Sequence, residues 1–536
     1  MLCSYVVESN NINVDYYTNQ QEMINVQPLS KISMHELRLG IHAEASIKAT
    51  SRLLGLKGES SQWINVKFKH PHPTADDWVA VFSPAIFNAS TYVPTMGNPA
   101  RLSPLLVSDP IKYQFANHST PDYVNTGNGS LRFRLINQRS DFAFALFSGG
   151  LAKPKLIATS NKISFANPKA PLYPRLALGK SWDEMTVTWT SDYDINEAVP
   201  FLQWGSRNSL QRVIIFGDSG KAERDGSNDY QNYQPGSLNT TDTLTKDLGN
   251  YDIVFHIGDL SYANCFLSQW DQFTEMIEPI ASAVPYMVAS GNHEQDWPNS
   301  GSFYNRADSG GECVVPAETM FYVPAENRAN YWYSVDYGMF RFCIGDSEHD
   351  WREGTEQYKF IEKCFATTDR QKQPWFIFAT HRVLGYSSNE WYAQQGSFEE
   401  PMGRSSLQQL WQKYRVDIAY YGHVHSYERT CLIYENICVS SETSHFSGLW
   451  NGTIHVVVGG GGSHLSSFSS LKTKWSLYQD YDFGFVKMTA FNHTSLLFEY
   501  KKSRDGNVYD SFTITREYMD VLACTVGSCA ATTLAG

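Results

Sequence analysis

The segment Ile253-Val254-Phe255-His256-Ile257-Gly258-Asp259-Leu260-Ser261-Tyr262 lies close to the middle of the 536-residue chain. Its first five residues form a largely apolar run that predicts a buried strand, in which His256 is expected to be a packed core residue. The run ends at Gly258, where a tight turn can bring the oxygen donors of Asp259 and Tyr262 together. The segment therefore predicts a central strand that ends in two metal ligands.

Four other segments repeat this pattern of a strand followed directly by polar residues. They are Gly217-Asp218-Ser219-Gly220, Gly291-Asn292-His293-Glu294, Ala379-Thr380-His381 and Gly422-His423-Val424-His425. Each alone could be an ordinary turn or a packed histidine, but five in succession predict a shared site at the carboxyl ends of strands. Carboxylate, phenol, amide and imidazole donors together suit hard to borderline transition metals, rather than a thiolate zinc site or an all-oxygen calcium site.

Strands alternate with helices from about residue 211 to the end of the chain, and this alternation predicts an α/β sandwich. The predicted strands are 213–216, 253–257, 286–289, 339–344, 375–380, 418–421, 453–458 and 484–489. The predicted helices are 241–248, 269–283, 354–366 and 405–414. The fold class is therefore multidomain, with β-domains before an α/β domain that covers 211–536.

The first 210 residues have a different pattern. Residues 1–42 are polar and aperiodic, which predicts a tail. Between 43 and 166, short segments of alternating hydrophobicity are separated by turns, which predicts an N-terminal β-sandwich without catalytic residues. Residues 167–210 contain a proline-rich linker and two strands with Trp189 expected to be buried, but such a sandwich needs about 100 residues. This segment is therefore expected to be truncated or to pack elsewhere.

Composition limits the partners of this chain. A formal net charge of −12 argues against a nucleic-acid partner, because phosphate backbones bind basic surfaces. No apolar run approaches the roughly 18 residues of a spanning helix, so no membrane partner is expected. A small anionic substrate would then need local positive charge, which bound metal can supply.

We expect the protein to be secreted. The N-terminus shows no signal peptide, which is expected if the peptide has been removed or if the true start of the gene lies upstream of Met1. Six Asn-x-Ser/Thr sequons also fit a secreted glycoprotein, namely Asn88, Asn117, Asn128, Asn239, Asn451 and Asn492. Two close cysteine pairs, Cys431/Cys438 and Cys524/Cys529, could each close a short loop as a disulfide. Their alternative is a zinc site, which the absence of CxxC pairs disfavours.

On these five motifs the chain resembles the metallophosphoesterase superfamily and, within it, the purple acid phosphatases. The superfamily usually carries a histidine two residues after the first aspartate and an aspartate at the end of the second motif. This chain has Gly220 and Tyr262 at those places, which is the signature of the purple enzymes. The resemblance implies an Ig-like domain, a fibronectin-III-like domain, here truncated, and a C-terminal metallophosphoesterase domain.

The resemblance also implies the roles of the motif residues. Asp218, Asp259, Tyr262 and His425 would bind Fe(III), and Asp259, Asn292, His381 and His423 would bind a second ion, either Zn(II), Mn(II) or Fe(II). Asp259 would bridge the two ions, and a metal-bound hydroxide would attack the phosphorus of a small phosphorylated substrate. Asn292, His293 and His423 would contact the substrate, with His293 in a catalytic role. The alternative for His293 is that it orients Asn292.

One departure from the family concerns the proton donor. Active plant members have a histidine, or two, nine or ten residues beyond the ligand equivalent to His381, whereas this chain has Glu390 and Trp391 there. This resembles a large subgroup whose members are labelled probable inactive phosphatases or nucleotide diphosphatase/phosphodiesterases. Trp391 or Tyr392 could stack on a nucleobase, although packing within the loop is the simpler expectation.

Two other features could belong to the site. His349 could face the cleft, and residues 459–464 could either cradle a phosphate or form a turn.

Two functions follow from these observations. The first is a secreted acid phosphatase that hydrolyses phosphomonoesters or phosphoanhydrides such as nucleoside diphosphates. The second is a weakly active or inactive glycoprotein that keeps the metal site and binds phosphate or nucleotide.

A second departure from the family concerns the fibronectin-III-like domain. The chain passes from Trp204-Gly205 to Gln211-Arg212, which leaves only part of that sandwich. We expect exposed strand edges there to lower stability or to alter a homodimer.

Overall fold

The structure is a computed structural model of the whole chain. It describes residues 38–85, 92–94, 102–104, 110–181, 183–194, 197, 211–229, 234–389, 392, 403–448, 450–468 and 473–517. Several residues discussed above lie outside these ranges, namely most of the predicted tail, Asn88, Trp204, Gly205, Glu390, Trp391, Cys524 and Cys529.

The strands are β1 (Arg38–Leu39), β2 (Ser46–Ala49), β3 (Leu53–Leu54), β4 (Ser61–Lys69), β5 (Trp78–Phe82), β6 (Tyr92–Pro94), β7 (Leu102–Pro104), β8 (Lys112–Phe115), β9 (Asn128–Ile136), β10 (Ala143–Ser148), β11 (Lys155–Thr159), β12 (Ser164–Phe165), β13 (Leu172–Leu178), β14 (Met185–Thr190), β15 (Gln211–Phe216), β16 (Asn228–Asp229), β17 (Ile253–Ile257), β18 (Tyr286–Ala289), β19 (Tyr333–Tyr337), β20 (Phe340–Ile344), β21 (Trp375–Thr380), β22 (Ile418–Tyr421), β23 (Tyr427–Tyr434), β24 (Ile437–Cys438), β25 (His445–Ser447), β26 (Thr453–Val458), β27 (Ser476–Asp480), β28 (Gly484–Asn492), β29 (Ser495–Lys502) and β30 (Val508–Thr515).

The helices are α1 (Tyr123–Thr126), α2 (Gly236–Lys246), α3 (Leu267–Ala281), α4 (Asn292–Gln295), α5 (Val315–Met320), α6 (Glu356–Ala366) and α7 (Arg404–Lys413), with short 3₁₀ helices at Leu248–Asn250 and Arg328–Asn330. In the described part of the chain, none of these helices has the length and apolar character needed to cross a membrane.

The described residues divide into two compact units. The first falls within Met1–Leu172, Ser191–Pro200 and Ala222–Tyr233. The second falls within Tyr173–Thr190, Phe201–Lys221 and Gln234–Gly536.

The two largest sheets of the first unit share one apolar core. One sheet has the order β2-β4-β9 and the other β1-β11-β10-β5-β8-β16. Alternate residues of β4, namely Ile64, Val66 and Phe68, are buried together with Phe144 and Leu146 of β10. This period of two is what places one face of a strand against a core. The predicted N-terminal β-sandwich is therefore confirmed.

Strands β13 and β14 belong to the second unit, where they pair with each other. Arg175 Nε and Thr188 Oγ1 both donate hydrogen bonds to the carbonyl oxygen of Met320, at 2.9 Å and 3.1 Å. The expectation that Trp189 is buried is wrong, because its side chain is 42% exposed. The described part of this segment forms one sheet of two strands. A complete sandwich has a second sheet, which would cover the tryptophan.

The second unit is built on two sheets that pack face to face. Their strand orders are β18-β17-β15-β28-β29-β30-β25 and β19-β20-β21-β22-β26-β23-β24, with β27 paired to β23. Val254 and Val486 of the first sheet share a core with Phe342, Ile377 and Ile454 of the second. Residues of α3 pack against the first sheet, and residues of α6 and α7 pack against the second. The predicted α/β sandwich is confirmed.

The strands that carry the polar motifs are parallel within each sheet. Strands β15, β17 and β18 run in one direction, and so do β20, β21, β22 and β26. All five residues of β17 are buried, as expected for a parallel strand that is covered on both faces. The loops after β15, β17, β18, β21 and β22 therefore leave the sheets at their carboxyl ends, where the five motifs lie.

Two disulfides are present among the described residues. Cys431–Cys438 joins residues on β23 and β24, as the short spacing predicts. Cys343–Cys364 joins β20 to α6 across a sequence separation of 21. The spacing of this second pair gave no indication of it, because only the packing of α6 against the sheet brings its two cysteines together.

We expect the Cys343–Cys364 bridge to contribute more stability than Cys431–Cys438. Because it closes the longer loop, its removal by Cys343→Ser with Cys364→Ser should cost about 3 kcal/mol in the free energy of unfolding. Calorimetry of the two double variants, with and without reductant, measures this difference. Equal melting temperatures for the wild type and the Cys343/Cys364 variant would contradict a structural role for the bridge.

Candidate metal centre

Four residues of the predicted ligand set have backbone angles that non-glycine residues rarely adopt. The φ angles are +62° at Asp218, +51° at Asp259, +52° at Tyr262 and +65° at His423. These left-handed conformations turn each chain sharply after its strand and cost energy. Such strain is typical of functional sites, where the surrounding structure holds the residues in place.

The first donor set lies between the loops that follow β15, β17 and β22. Donor atoms of Asp218, Asp259 and His425 all lie within 4.8 Å of one another. The Tyr262 hydroxyl lies 3.3 Å from Asp218 Oδ1 and 3.2 Å from His425 Nε2. All four side chains are buried, so two carboxylates, a phenol and an imidazole converge on one buried position.

The second donor set shares Asp259 with the first. Donor atoms of Asp259, His381 and His423 lie within 4.8 Å of one another. Asn292 Oδ1 lies 3.0 Å from His381 Nε2 and 3.0 Å from His423 Nδ1. The structure thus brings all seven predicted ligands together in two sets that meet at Asp259, a geometry that fits a pair of cations.

The charges in this cluster show that the two sets are suited to cations. Although burial opposes it, the carboxylates of Asp259 and Asp218 raise the pKa of His381 to about 10. Although burial alone would raise it, the neighbouring imidazoles of His381 and His293 hold the pKa of Asp259 well below its usual range. Without a metal and despite burial, the carboxylates favour positive charge on the rings of His381 and His425, so metal binding must displace protons from these ligands.

Tyr262 differs from the other donors. Burial, followed by the charges of Asp259 and Asp218, raises the pKa of its hydroxyl well above the usual value. The phenol therefore stays protonated unless a strong Lewis acid displaces the proton. The Tyr262 hydroxyl would therefore favour a cation of high charge at the first donor set.

His293 lies beside both donor sets. Its Nε2 is 3.8 Å from Asp259 Oδ2, and its ring centroid is 4.3 Å from that of Tyr262. Its backbone N–H donates to Asp259 Oδ1 at 3.0 Å. The side chain is thus placed next to the bridging carboxylate, as a substrate contact requires, and its assigned role stays a prediction.

Two glycines allow the ligand loops to approach each other. Gly258 has a φ of +89°, and a Cβ at this position would lie 2.5 Å from His381 Nδ1. A Cβ at Gly291 would lie 2.3 Å from Asp259 Oδ1. Any larger residue would therefore push a ligand out of its place.

The loops are also held by Glu294, which the sequence placed in a motif but gave no role. Its two carboxylate oxygens accept hydrogen bonds from the backbone N–H groups of Asp259, Leu260 and Gly291, at 2.9, 2.8 and 3.0 Å. The carboxylate therefore ties the loop after β17 to the loop after β18. Its position directly after His293 in the third motif is the feature of the sequence that could have indicated this role.

Arg382 is a second residue that sequence reasoning missed, although it directly follows His381. Its side chain is only 2% exposed, and its Nη1 lies 3.3 Å from His423 Nε2. Its Nε donates to Glu348 Oε1 at 2.8 Å, and its Nη2 lies 3.3 Å from Asp296 Oδ2. The guanidinium also lies over the Tyr304 ring, 3.9 Å from the centroid. A fixed positive charge therefore stands beside the second donor set.

The glycine-rich segment 459–464 supports the first donor set. The backbone N–H of Ser463 donates to the carbonyl of Asp218 at 3.0 Å. His425 Nδ1 lies 2.8 Å from the carbonyl oxygen of His464 and 3.0 Å from Ser463 Oγ. This turn therefore fixes the ring of His425, which is the usual task of groups around a metal ligand.

Three other residues singled out in the sequence lie in structural positions. His256 is buried, with Nδ1 2.9 Å from the Tyr286 hydroxyl, so the core assignment is confirmed. His349 Nδ1 pairs with Asp346 Oδ2 at 2.8 Å. Tyr392 is buried in an apolar cluster, which agrees with loop packing rather than with a stacking platform.

Glu312 is a buried carboxyl that anchors the loop after Tyr262. Its Oε1 accepts hydrogen bonds from Cys265 N at 2.8 Å and from Trp270 Nε1 at 3.0 Å. Burial raises its pKa to about 8. A carboxyl with a raised pKa in the folded state stabilises the fold only while it is protonated, so stability falls as the pH rises from about 4.5 through 8.

We therefore expect Glu312→Gln to match the wild type in stability at pH 4 and to exceed it at pH 8. The expected gain at pH 8 is on the order of a few kcal/mol, because glutamine keeps the accepting oxygen and never ionises. Melting temperatures measured between pH 4 and pH 8 check this. A variant that is less stable than the wild type across the whole range would show that Glu312 is ionised in the fold.

Comparison with known proteins places these donor sets in a family. The Calcineurin-like phosphoesterase model matches residues 211–427, and the model described as "Iron/zinc purple acid phosphatase-like protein C" matches residues 452–511. A "Probable inactive purple acid phosphatase 27" of Arabidopsis thaliana is 58% identical, over 95% of this chain and 96% of that protein. The chain belongs to the purple acid phosphatase family. The two donor sets are the candidate dimetal centre of this family member.

Two further relatives are matched by this chain over most of their own length. A "Nucleotide pyrophosphatase/phosphodiesterase" of Hordeum vulgare is 71% identical over 65% of this chain and 94% of that protein. The solved purple acid phosphatase from yellow lupin (Lupinus luteus) seeds is 55% identical, with a TM-score of 0.84 over 92% of this chain and all of that one. The fold of this purple acid phosphatase is therefore that of a solved plant family member.

The comparisons also bear on the N-terminal part of the chain. A model described as the Fn3-like domain from purple acid phosphatase matches residues 47–167, where the sequence pattern predicts a β-sandwich and the family resemblance implies an Ig-like one. The two kinds of domain share the sandwich architecture. The alignment to the Arabidopsis relative spans 587 positions, more than the 536 residues of this chain, so that relative has internal residues that this chain lacks.

Proposed function

We propose that this protein is a metal-dependent acid phosphatase that hydrolyses phosphomonoesters or phosphoanhydrides, including nucleoside diphosphates. One observation carries the proposal, namely the convergence of seven donor side chains in two sets that share Asp259. A phosphate-binding site without catalysis would not need two adjoining cation positions of such different chemistry.

We assign Fe(III) to the set that contains Tyr262 and a divalent ion, Zn(II), Mn(II) or Fe(II), to the set that contains Asn292. A buried phenol loses its proton most readily to a trivalent ion, and the resulting phenolate gives a purple charge-transfer band. Amide and imidazole donors suit divalent ions. This assignment rests on donor chemistry and on the resemblance to the purple enzymes.

Two ions bound here would bind phosphate oxygens and lower the pKa of a water molecule. The protein's own residues would do the rest. His293 and Asn292 lie at the start of α4, on the same side as the bridging carboxylate, and would orient the phosphoryl group. His423, which is partly exposed, would contact the substrate at the opening of the site.

The identity of the leaving group follows from what the chain lacks. No histidine occurs between Arg382 and Arg404, where active plant members have their proton donor. Absence of a general acid costs about 10²- to 10⁴-fold for poor leaving groups. A nucleoside phosphate leaving group needs little protonation, and the name of the barley relative fits this preference.

The leaving-group preference gives a direct prediction. We expect kcat/KM for ADP to exceed that for glycerol 2-phosphate by on the order of 10²-fold, since only the alkoxide needs a proton. Steady-state assays of released phosphate at acid pH measure the ratio. Equal values for the two substrates would show that another residue protonates the leaving group.

A second candidate function is a binder of phosphate or nucleotide that retains the metal site but has little turnover. Glu390 and Trp391 in place of the acid histidines favour it, as do relatives named "Probable inactive" purple acid phosphatase. Purified protein decides between the two. Purple colour with metal-dependent release of phosphate from ADP supports the enzyme, whereas colour without hydrolysis supports the binder.

We further propose that the protein is a secreted glycoprotein made with a signal peptide, acting on small substrates without a nucleic-acid or membrane partner, and that it can form a homodimer. The sequon residues Asn128, Asn239, Asn451 and Asn492 have exposed side chains, as glycosylation requires. Digestion with an endoglycosidase, followed by mass measurement of protein from plant tissue, tests the glycosylation.

A further inference from the structure

His464, the last residue of the glycine-rich turn 459–464, places an imidazole beside the first donor set. Its ring packs edge to face against the ring of His425, with the two centroids 4.2 Å apart. His425 Nε2 faces Asp218 Oδ1 at 3.0 Å, so Nε2 is the nitrogen that His425 directs towards the first ion. His464 does not belong to either group of donors. Its ring therefore borders the first donor set from outside.

The same ring lies near the predicted substrate contact. Burial, followed by the charges of His425 and His293, lowers the pKa of His464, whereas the charge of Asp259 raises it. The ring is therefore within electrostatic reach of both His293 and the bridging carboxylate. His293 and His425 are buried, whereas His464 is partly exposed. This difference in exposure places the His464 ring at the edge of the site, on the side that reaches solvent.

The main chain on both sides of His464 is fixed. The N–H of Ser463 donates to the carbonyl oxygen of Asp218 at 3.0 Å, and the N–H of Ser466 donates to the carbonyl oxygen of His425 at 2.8 Å. The carbonyl oxygen of His464 accepts from His425 Nδ1 at 2.8 Å. The turn therefore presents the side chain at a defined place. It also supports His425 through the main chain of His464, and not through a hydrogen bond of the His464 ring.

The ring has one nitrogen to offer to a ligand. Nδ1 of His464 lies 3.4 Å from Ser463 Oγ, whereas no residue in the described part of the chain forms a hydrogen bond with Nε2. An anionic oxygen at Nε2 favours the tautomer with its hydrogen there, and in that tautomer Nδ1 can accept from the Ser463 hydroxyl. The charged ring also carries a hydrogen on Nε2, so both forms can donate to an anion.

We propose that Nε2–H of His464 donates a hydrogen bond to the second phosphate of a phosphoanhydride substrate, which makes His464 a specificity-determining residue. The inference rests on the proposed function. The phosphoryl group that is transferred would occupy the buried donor sets beside His293, and the rest of the substrate must extend from there towards solvent, past the partly exposed ring. A second phosphate brings an anionic oxygen to that place, whereas free phosphate and the alcohol of a simple alkyl ester do not.

Binding measurements on metal-loaded protein test the proposal without relying on turnover. The probes are inorganic phosphate and α,β-methylene-ADP, in which a methylene group replaces the anhydride oxygen. Glutamine at position 464 can place its amide nitrogen near the position of Nε2, whereas the shorter asparagine places it near that of Nδ1. We expect His464→Asn to weaken the binding of α,β-methylene-ADP by about 10-fold, the usual cost of losing a hydrogen bond to a charged group. His464→Gln should lose less than about 3-fold, and phosphate affinity should change by less than about 3-fold in both variants.

His445→Asn is the matched control. His445 is an exposed histidine on β25, with Nδ1 3.2 Å from Thr513 Oγ1, and its variant should leave both affinities unchanged. Metal content and the visible absorption band are recorded for every variant. Both should match the wild type in the two His464 variants, because the main chain that supports His425 is retained.

Four results would overturn the proposal. An equal loss of affinity for both probes in His464→Asn would place the ring against the transferred phosphoryl group. The others are an unchanged affinity of His464→Asn for α,β-methylene-ADP, a loss of metal in both variants, and wild-type protein that binds phosphate but not α,β-methylene-ADP. If His464→Asn does not fold, His464→Ser, which also lacks a donor at the Nε2 position, replaces it. Wild-type protein that binds both probes but releases no phosphate from ADP would refute the enzymatic function, and the binding ratios would still decide the role of His464.

Discussion

Asp259→Asn is expected to abolish binding of both metal ions and, with it, phosphatase activity. Asp259 is the one residue common to the two donor sets, and it carries the negative charge that each cation needs. Asparagine has nearly the same shape but no charge, so it can bridge two cations only weakly. The loss of activity should exceed the ~10- to 100-fold that follows from removing a group that merely supports a ligand. Metal analysis, visible absorption and phosphate release measure the three consequences.

Asp336→Asn is the control for this prediction. Asp336 is an exposed aspartate on β19 that pairs with Arg341, so its variant should keep metal, colour and activity. Near-ultraviolet circular dichroism checks that Asp259→Asn is folded. If folded Asp259→Asn protein retained two ions per chain and its activity, the placement of the dimetal centre would be wrong.

Glu294→Gln is expected to be nearly as damaging, although Glu294 is not a metal ligand. Its carboxylate satisfies three buried backbone N–H groups, those of Asp259, Leu260 and Gly291. Glutamine offers only one oxygen, so its amide N–H groups would face at least one of these donors. Each buried donor left without an acceptor costs about 1–3 kcal/mol. We therefore expect a lower melting temperature together with weaker retention of metal.

The control here is Glu326→Gln, because Glu326 is exposed. Chelator titration followed by the visible band compares how tightly the proteins hold their ions. A Glu294→Gln protein as stable as the wild type but unable to hold metal would assign Glu294 to the site alone. Retention of both stability and metal would refute its role as the clamp between the two loops.

The positions of the candidate metal ligands could be predicted because each motif that contains them follows a strand. Apolar runs such as Ile253–Ile257 predict buried parallel strands, and a glycine at the end of a run marks the turn where functional groups collect. The order of the five motifs and Tyr262 then indicated the family. Of the described helices, α2, α3, α6 and α7 were also predicted, with boundaries that differ by a few residues because helix ends fray, whereas the short helices α1, α4 and α5 were not.

The residues around the ligands could not be predicted in the same way. Glu294, Arg382 and Ser463 act through contacts with loops distant in sequence, and neither periodicity nor spacing reports such contacts. The Cys343–Cys364 bridge depends on how α6 lies on its sheet. Trp189 was expected to be buried because its strand has the pattern of a complete sandwich, whereas the described segment has only two strands.

We expect one ion to be held by Asp218, Tyr262 and His425, another by Asn292, His381 and His423, and Asp259 to join them. Anomalous diffraction from crystals of the purified protein, recorded on both sides of the iron absorption edge, tests this arrangement most directly. We expect two peaks about 3.5 Å apart on either side of the Asp259 carboxylate, with iron in the peak beside Tyr262. A single peak, or ions bound away from these seven residues, would contradict it.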